Sequence, residues 1–156
     1  MMTNVLASLA LVVAIALGGC NAAQSEPGAV KGTIMRYNQL LSDGYRSLNM
    51  NPLQEVATPE QATKLYHHMA ALGEGKVKMD STLKDIQFVK VTFPKPDESS
   101  VTTREKWDFT HLDIASGRKV YEERDFVYEM EYGLKYVNGH WVIHQVTTLG
   151  GEGAKK

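Results

Sequence analysis

The chain has 156 residues, of which 22% are charged, with 17 Lys and Arg against 18 Asp and Glu. This balance, without any run of five like charges, argues against a nucleic-acid partner, because nucleic-acid-binding domains carry a basic footprint. A single cysteine excludes an intrachain disulfide framework. The length fits one domain with its own core.

An apolar run occupies positions 5–17, shortly before the single cysteine, Cys20. It is shorter than the roughly 20 residues that a membrane-spanning helix needs. A run of this length followed by small residues is typical of a secretory signal peptide, and Gly18 and Gly19 supply the small residues. Residues 1–19 are therefore predicted to be a signal peptide, although residues 1–4 lack the usual Lys or Arg.

The tetrapeptide Leu17-Gly18-Gly19-Cys20 resembles the bacterial lipobox. The resemblance implies a lipoprotein with a diacylglyceryl thioether on Cys20 and an acyl group, such as palmitate, on the new N-terminus. Several acyl chains would hold it stably at the membrane. Asn21 stands where the inner-membrane retention signal has Asp, which implies the outer membrane, with the domain facing the periplasm. The alternative is a buried free cysteine in a core helix.

Residues 20–28 are polar and rich in turn formers, as a tether would be. Two amphipathic helices are predicted next. In the first, apolar residues recur every three or four positions from 30 to 48. The second has Thr58 as N-cap, Pro59 at its first position and Gln61 at its third, and Gly73 ends it.

After the helices the apolar period changes to two, which predicts strands at 77–93, 104–114, 119–136 and 140–149. The first strand changes phase near Phe88, which indicates a bulge. Residues 94–100 are predicted to be a loop and 150–156 a disordered tail. Asn138-Gly139 is a strong hairpin signal. The predicted fold class is α+β, with two N-terminal helices packed in a curved antiparallel sheet.

This order of elements over residues 29–149, with "YGLKYVNGHWVIHQV" at its end, resembles the nuclear transport factor 2-like (cystatin-like cone) superfamily. The resemblance implies a cone in which the sheet wraps the helices. Members include polyketide-cyclase-like and ketosteroid-isomerase-like enzymes, dehydratases, and domains that only bind or dimerise. The fold therefore does not define the function.

The Asn138-Gly139 turn would pair Val137 with His140. Side-chain alternation then gives the core face to Leu134, Tyr136, Trp141 and Ile143. The outer face, where a homodimer would form, receives Lys135, His140, Val142 and His144. His140 with His144 would be only a loose metal pair, so a solvated or dimer-packed face is the favoured interpretation, and no metal or cofactor is expected.

A turn about Ser116-Gly117 would pair Trp107 with Phe126 and Phe109 with Arg124. It would also pair His111 with Glu122 and Asp113 with Val120, all with side chains on the core face. The candidate catalytic residues are therefore His111, Asp113, Glu122 and Arg124. The candidate pocket residues are Trp107, Phe109, Tyr132 and Gln145. If the sheet projects past the helices, the four charged residues are ordinary surface pairs.

Two functions fit these residues. In the first, a non-catalytic, membrane-anchored domain binds a small apolar ligand or a protein partner. In the alternative, an isomerase, dehydratase or cyclase uses His111 as general base, oriented by Asp113 or Glu122, with Arg124 or Tyr132 stabilising an oxyanion. The chain has no Gly-x-Ser-x-Gly, P-loop or Cys-His cluster, which favours binding.

Overall fold

A computed structural model describes residues 25–153. Its elements are α1 (Pro27–Ser47), a 3-10 helix (Asn51–Glu55), α2 (Pro59–Glu74), β1 (Val77–Lys95), β2 (Glu98–Asp113), β3 (Lys119–Val137) and β4 (His140–Glu152). The strands form one antiparallel sheet in the order β1-β2-β3-β4, so the predicted α+β class is confirmed. The predicted signal peptide and Cys20 lie outside the described residues.

Local signals in the sequence explain both helices. Helix α2 begins as predicted, with the Thr58 side chain accepting a hydrogen bond from the Gln61 backbone N–H. Helix α1 begins at Pro27, two residues earlier than predicted, because proline is favoured in the first turn of a helix. The end of the predicted tether is therefore helical.

The strands are longer than predicted at two places. The predicted loop at 94–100 is wrong, because β1 and β2 pair up to Lys95 and Glu98 and leave only a short turn. The prediction of a disordered tail is wrong for its first residues, since β4 continues to Glu152 and Gly151 pairs with Tyr128. A Cβ on Gly151 would lie 2.9 Å from Phe126 Cε1, so the glycine lets this aromatic ring pack against the strand.

Two predicted details of strand pairing are confirmed. The register of β1 against β2 shifts between Phe88 and Lys90, where a bulge was expected. The last hairpin turns through Asn138 and Gly139, both with positive φ, and its four predicted pairs are present from Val137–His140 to Leu134–Ile143. A type I′ turn needs this left-handed backbone, which asparagine and glycine adopt readily.

The core lies between the helices and one face of the sheet. Its fully buried residues come from α1, the 3-10 helix and three strands, and include Val30, Ile34, Leu53, Val101, Leu134 and Ile143. The segment before α2 also binds the edge of β4, because the Thr58 N–H donates to the Ile143 carbonyl (2.9 Å) and the Ile143 N–H donates to the Val56 carbonyl (2.8 Å). Backbone hydrogen bonds therefore fix the start of α2 on the sheet.

Replacing Ile34 by Ala tests this core. Ile34 is fully buried, so we expect the free energy of unfolding to fall by about 2–5 kcal/mol. Met35, the next residue of α1, is 44% exposed, and Met35→Ala should change it by less than about 0.5 kcal/mol. Urea denaturation measures both. Equal losses in the two variants would contradict the position of α1.

Candidate functional site

A cavity of about 520 Å³ lies between the helices and the inner face of the sheet. This volume is typical of small-molecule sites. Its rim includes the exposed residues Lys64, His68 and Tyr121. Its walls are largely aromatic, formed by Tyr37, Tyr45, Trp107, Phe109, Phe126, Tyr128 and Tyr132.

The most buried charged residue that lines the cavity is Glu105, which is 2% exposed. Strand alternation explains its position, because every second residue of β2 faces inward. The inward set is Val101, Thr103, Glu105 and Trp107, all buried. The neighbours Arg104 and Lys106 are exposed. A charged tripeptide thus places only its central carboxylate inside.

Four side chains donate hydrogen bonds to the Glu105 carboxylate. Its Oε1 accepts from Tyr132 Oη (2.7 Å), Thr103 Oγ1 (2.8 Å) and Asn38 Nδ2 (3.4 Å). Its Oε2 accepts from Trp107 Nε1 (2.9 Å). Over residues 25–153, no Lys, Arg or His side chain forms a salt bridge with this carboxylate. Neutral donors therefore replace its water shell.

Two tyrosines beside Glu105 keep their protons at neutral pH. Burial raises the pKa of Tyr37 to about 12, and the Glu105 charge adds to this, while a hydrogen bond from Gln61 (3.0 Å) opposes it. Burial, followed by the charge of Glu105, raises the pKa of Tyr132 well above its usual value. Both groups are thus neutral hydroxyls, and Tyr132 serves as a donor.

Of the predicted pocket residues, Trp107, Phe109 and Tyr132 line the cavity. The predicted inward position of Gln145 is wrong. Gly133 pairs with Gln145 while Leu134 pairs with Ile143, so β4 has an extra residue at this point. The bulge reverses the alternation, leaving Gln145 exposed and placing Val146 in the cavity wall.

The predicted register of the middle hairpin is correct only up to the pair Trp107–Phe126. Beyond it, Phe109 pairs with Glu123 rather than with Arg124, because β3 has an extra residue near Asp125, whose φ is +53°. The bulge reverses the faces of the residues that follow. Glu123 and Tyr121 therefore line the cavity, with His111 opposite Tyr121.

Glu122 and Arg124 thus lie away from the cavity, contrary to their predicted position. The Glu122 carboxylate accepts hydrogen bonds from Lys119 Nζ (2.9 Å) and Arg124 Nη2 (2.8 Å), and Arg124 is exposed. These hydrogen bonds lower the pKa of the Glu122 carboxyl. The two residues form an ordinary surface ion pair.

His111 and Asp113 lie in different surroundings and do not form a hydrogen bond with each other in the described part of the chain. His111 lines the cavity with its ring 5.3 Å from that of Tyr121, and burial, with a smaller effect of His68, lowers its pKa. The Asp113 carboxylate accepts hydrogen bonds from the side chain and backbone of Ser116, which lower its pKa. Within the described part of the chain, His111 has no carboxylate hydrogen-bond partner, so the predicted acid-base pair is not assembled.

The predicted outer face is only partly available to a partner. Lys135 and His140 are exposed, but Val142 is only 8% exposed. His144 is half-buried and packs on Gly133, where a Cβ would lie 2.9 Å from its Nε2. No group of three or more potential metal ligands occurs among residues 25–153. A homodimer through this face stays a prediction.

Sequence reasoning missed several residues that line the cavity: Asn38, Gln61, Glu105 and Glu123. The position of Glu105 could have been predicted from the sequence, because Glu105 lies two residues before Trp107 and strand alternation puts both side chains on one face. Asn38 follows Tyr37, which lies on the apolar stripe of α1. Glu123 had no such signal, because its position depends on the bulge at Asp125.

Comparison with known proteins identifies similar folds. The chain is similar to the intermembrane space region of the chloroplast protein ARC6, with a TM-score of 0.70 and 13% identity over 80% of this chain and 97% of that one. It is also similar to a periplasmic fragment of TraM, with a TM-score of 0.51 and 13% identity over 76% and 96% of the two chains. Such identities show a shared fold alone.

No protein-family model matches the chain, and no curated protein matches it. Among residues 25–153, no helix is both long enough and apolar enough to cross a membrane.

Replacing Tyr132 by Phe removes one donor from Glu105 and leaves the ring in place. Because a buried acceptor loses a partner, we expect the free energy of unfolding to fall by about 1–3 kcal/mol. Tyr66 is 52% exposed, so Tyr66→Phe is the control and should be nearly neutral. Urea denaturation distinguishes the two. A neutral Tyr132→Phe variant would contradict the buried hydrogen bond.

Proposed function

We propose that this protein is a lipid-anchored binding protein of the bacterial cell envelope whose cavity holds a small, largely apolar molecule without chemically changing it. The observation that carries the proposal is the cavity of about 520 Å³ with aromatic walls. Sites of this size bind ligands mainly through apolar contact, while a few fixed polar groups orient them. Here Glu105 and Tyr132 supply such groups.

We further propose that the domain is a nuclear transport factor 2-like cone. Both helices pack on the sheet, and every pair of neighbouring strands contains at least one register shift. Bulges bend strands and increase their twist, so a sheet with several of them tends to curve around what it packs against. The cavity between the helices and the sheet is the interior expected of such a cone.

The envelope location rests on two independent supports. One is the lipobox-like sequence that ends at Cys20. The other is the origin of the similar structures, an intermembrane space region and a periplasmic fragment. Acylation of Cys20 would hold the domain at the outer membrane, facing the periplasm, and residues 21–26 would connect the lipid to α1.

Binding is favoured over catalysis by the arrangement of the titratable groups. The predicted enzyme needs a carboxylate that is hydrogen-bonded to His111. The Asp113 carboxylate instead accepts a hydrogen bond from Ser116, and Glu122 lies on the other face of β3. Of the two predicted oxyanion partners, Arg124 is exposed on that other face, whereas Tyr132 lines the cavity but donates its hydroxyl to Glu105. Among residues 25–153, His111 lines the cavity without a carboxylate hydrogen-bond partner that would orient it, and burial lowers its pKa.

Filling the cavity tests the binding proposal. Val146→Phe adds a ring to the cavity wall, whereas Gln145→Phe adds the same ring to the outer face of the same strand. We expect the neutral dye Nile red to bind the unmodified protein and Gln145→Phe equally. The cavity-filled variant should bind at least about tenfold more weakly. A fluorescence titration that gives equal affinities for both variants would exclude the cavity as the site.

Replacing Cys20 by Ser tests the anchor. Because serine cannot form the thioether, we expect the protein to move from the membrane to the soluble periplasmic fraction of a bacterial host. Asn21→Asp is the matched control, which should stay membrane-bound but move to the inner membrane. Fractionation and the mass of the mature N-terminus measure both. An unmodified Cys20 in the mature protein would contradict the proposal.

A further inference from the structure

We propose that the ligand is an organic amine in its cationic form, whose N–H group donates to Glu105 Oε2 while its apolar body lies against the aromatic walls. This inference rests on the proposed function, because it specifies what the same cavity binds. Three features of the site carry it: the unequal hydrogen bonding of the two carboxylate oxygens, the missing positive charge, and the aromatic rings of the cavity wall.

The two oxygens of Glu105 differ in how many donors they accept. Oε1 already has three protein donors, two close ones from Tyr132 and Thr103 and a longer one from Asn38 at 3.4 Å, so both of its lone-pair sites are occupied. Oε2 has only the indole N–H of Trp107 within residues 25–153. An ionised carboxylate offers about four lone-pair sites in total, two on each oxygen. One acceptor position therefore remains on the oxygen that Trp107 holds.

The charge of Glu105 is also uncompensated inside the cavity. A buried carboxylate is strongly stabilised by a cation, because their attraction is large where water is excluded. The basic groups that line the cavity, Lys64, His68 and His111, form no salt bridge with it in the described part of the chain. A bound ammonium group would supply both the missing donor and the missing charge.

The aromatic rings of the cavity wall favour the same ligand. Trp107 donates to Oε2, and its ring stacks on Phe109 with centroids 5.9 Å apart. Phe126 and Tyr128 also line the cavity, and their ring centroids are 4.6 Å apart. The faces of aromatic rings attract cations within about 6 Å. A wall rich in aromatic rings therefore suits a cationic ligand as well as an apolar one.

An acidic or a neutral ligand fits less well. A ligand carboxylate would meet Glu105 at the floor and Glu123 at the wall, and like charges repel. A hydroxyl group would fill the acceptor position on Oε2 but leave the charge uncompensated. Ligands of equal shape should therefore rank as amine, then alcohol, then acid.

Three probes of one shape test this ranking: 2-naphthylmethylamine, 2-naphthylmethanol and 2-naphthoic acid, each competing with Nile red for the full-length protein. We expect the amine to bind at least about tenfold more tightly than the alcohol, and the acid to bind most weakly. If the amine binds no better than the alcohol, the inference is wrong. If neither Nile red nor any probe binds, the proposed function itself fails.

Variants then locate the source of the preference. Glu105→Gln keeps the shape but removes the charge, so the amine and alcohol affinities should come within about threefold of each other. Glu123→Gln in the wall and Glu122→Gln on the opposite face of β3 should both keep the preference. If the Glu105 variant does not fold, Glu123→Gln still decides the source. A preference for the amine that this variant retains excludes Glu123, and Glu105 is then the carboxylate of the cavity lining that accounts for it. A preference lost in Glu123→Gln would overturn the inference.

Discussion

The hydrogen bonds to Glu105 join parts of the chain that are far apart in sequence. Asn38 donates from α1, Thr103 and Trp107 from β2, and Tyr132 from β3. A carboxylate that is 2% exposed needs these donors, because little water reaches it to replace one that is lost. The position of α1 over the sheet is therefore set by a polar network as well as by apolar packing.

Single-residue bulges decide which side chains meet this network. An extra residue reverses the alternation of all that follow it in a strand. The bulge at Asp125 brings Tyr121 and Glu123 to the cavity instead of Glu122 and Arg124, and the bulge in β4 brings Val146 instead of Gln145. The wall thus gains aromatic and apolar surface and loses an ion pair, which agrees with the proposed binding of an apolar molecule.

The distribution of charged side chains also distinguishes the cavity from the surface. Within residues 25–153 the ion pairs lie on the surface, as in Arg36–Glu55 and Arg46–Asp80, where water screens the attraction and each adds little stability. The floor of the cavity instead has a carboxylate whose partners are neutral. Because its donors are held by the fold, this polar group is already oriented, which would lower the entropic cost of binding the proposed ligand.

Sequence alone determined the features that depend on neighbouring residues: the capped start of α2, the Asn138-Gly139 hairpin, the bulge near Phe88 and the α+β class. These follow from local backbone preferences and apolar periodicity. Strand alternation also predicted Trp107, Phe109 and Tyr132 in the cavity wall, and only the tertiary structure decided the rest of the cavity. Asn38 and Tyr132 lie 94 positions apart and meet at Glu105, and the bulges at Asp125 and in β4 depend on pairing with other strands. Such contacts leave no periodic signal, because no local interaction specifies them.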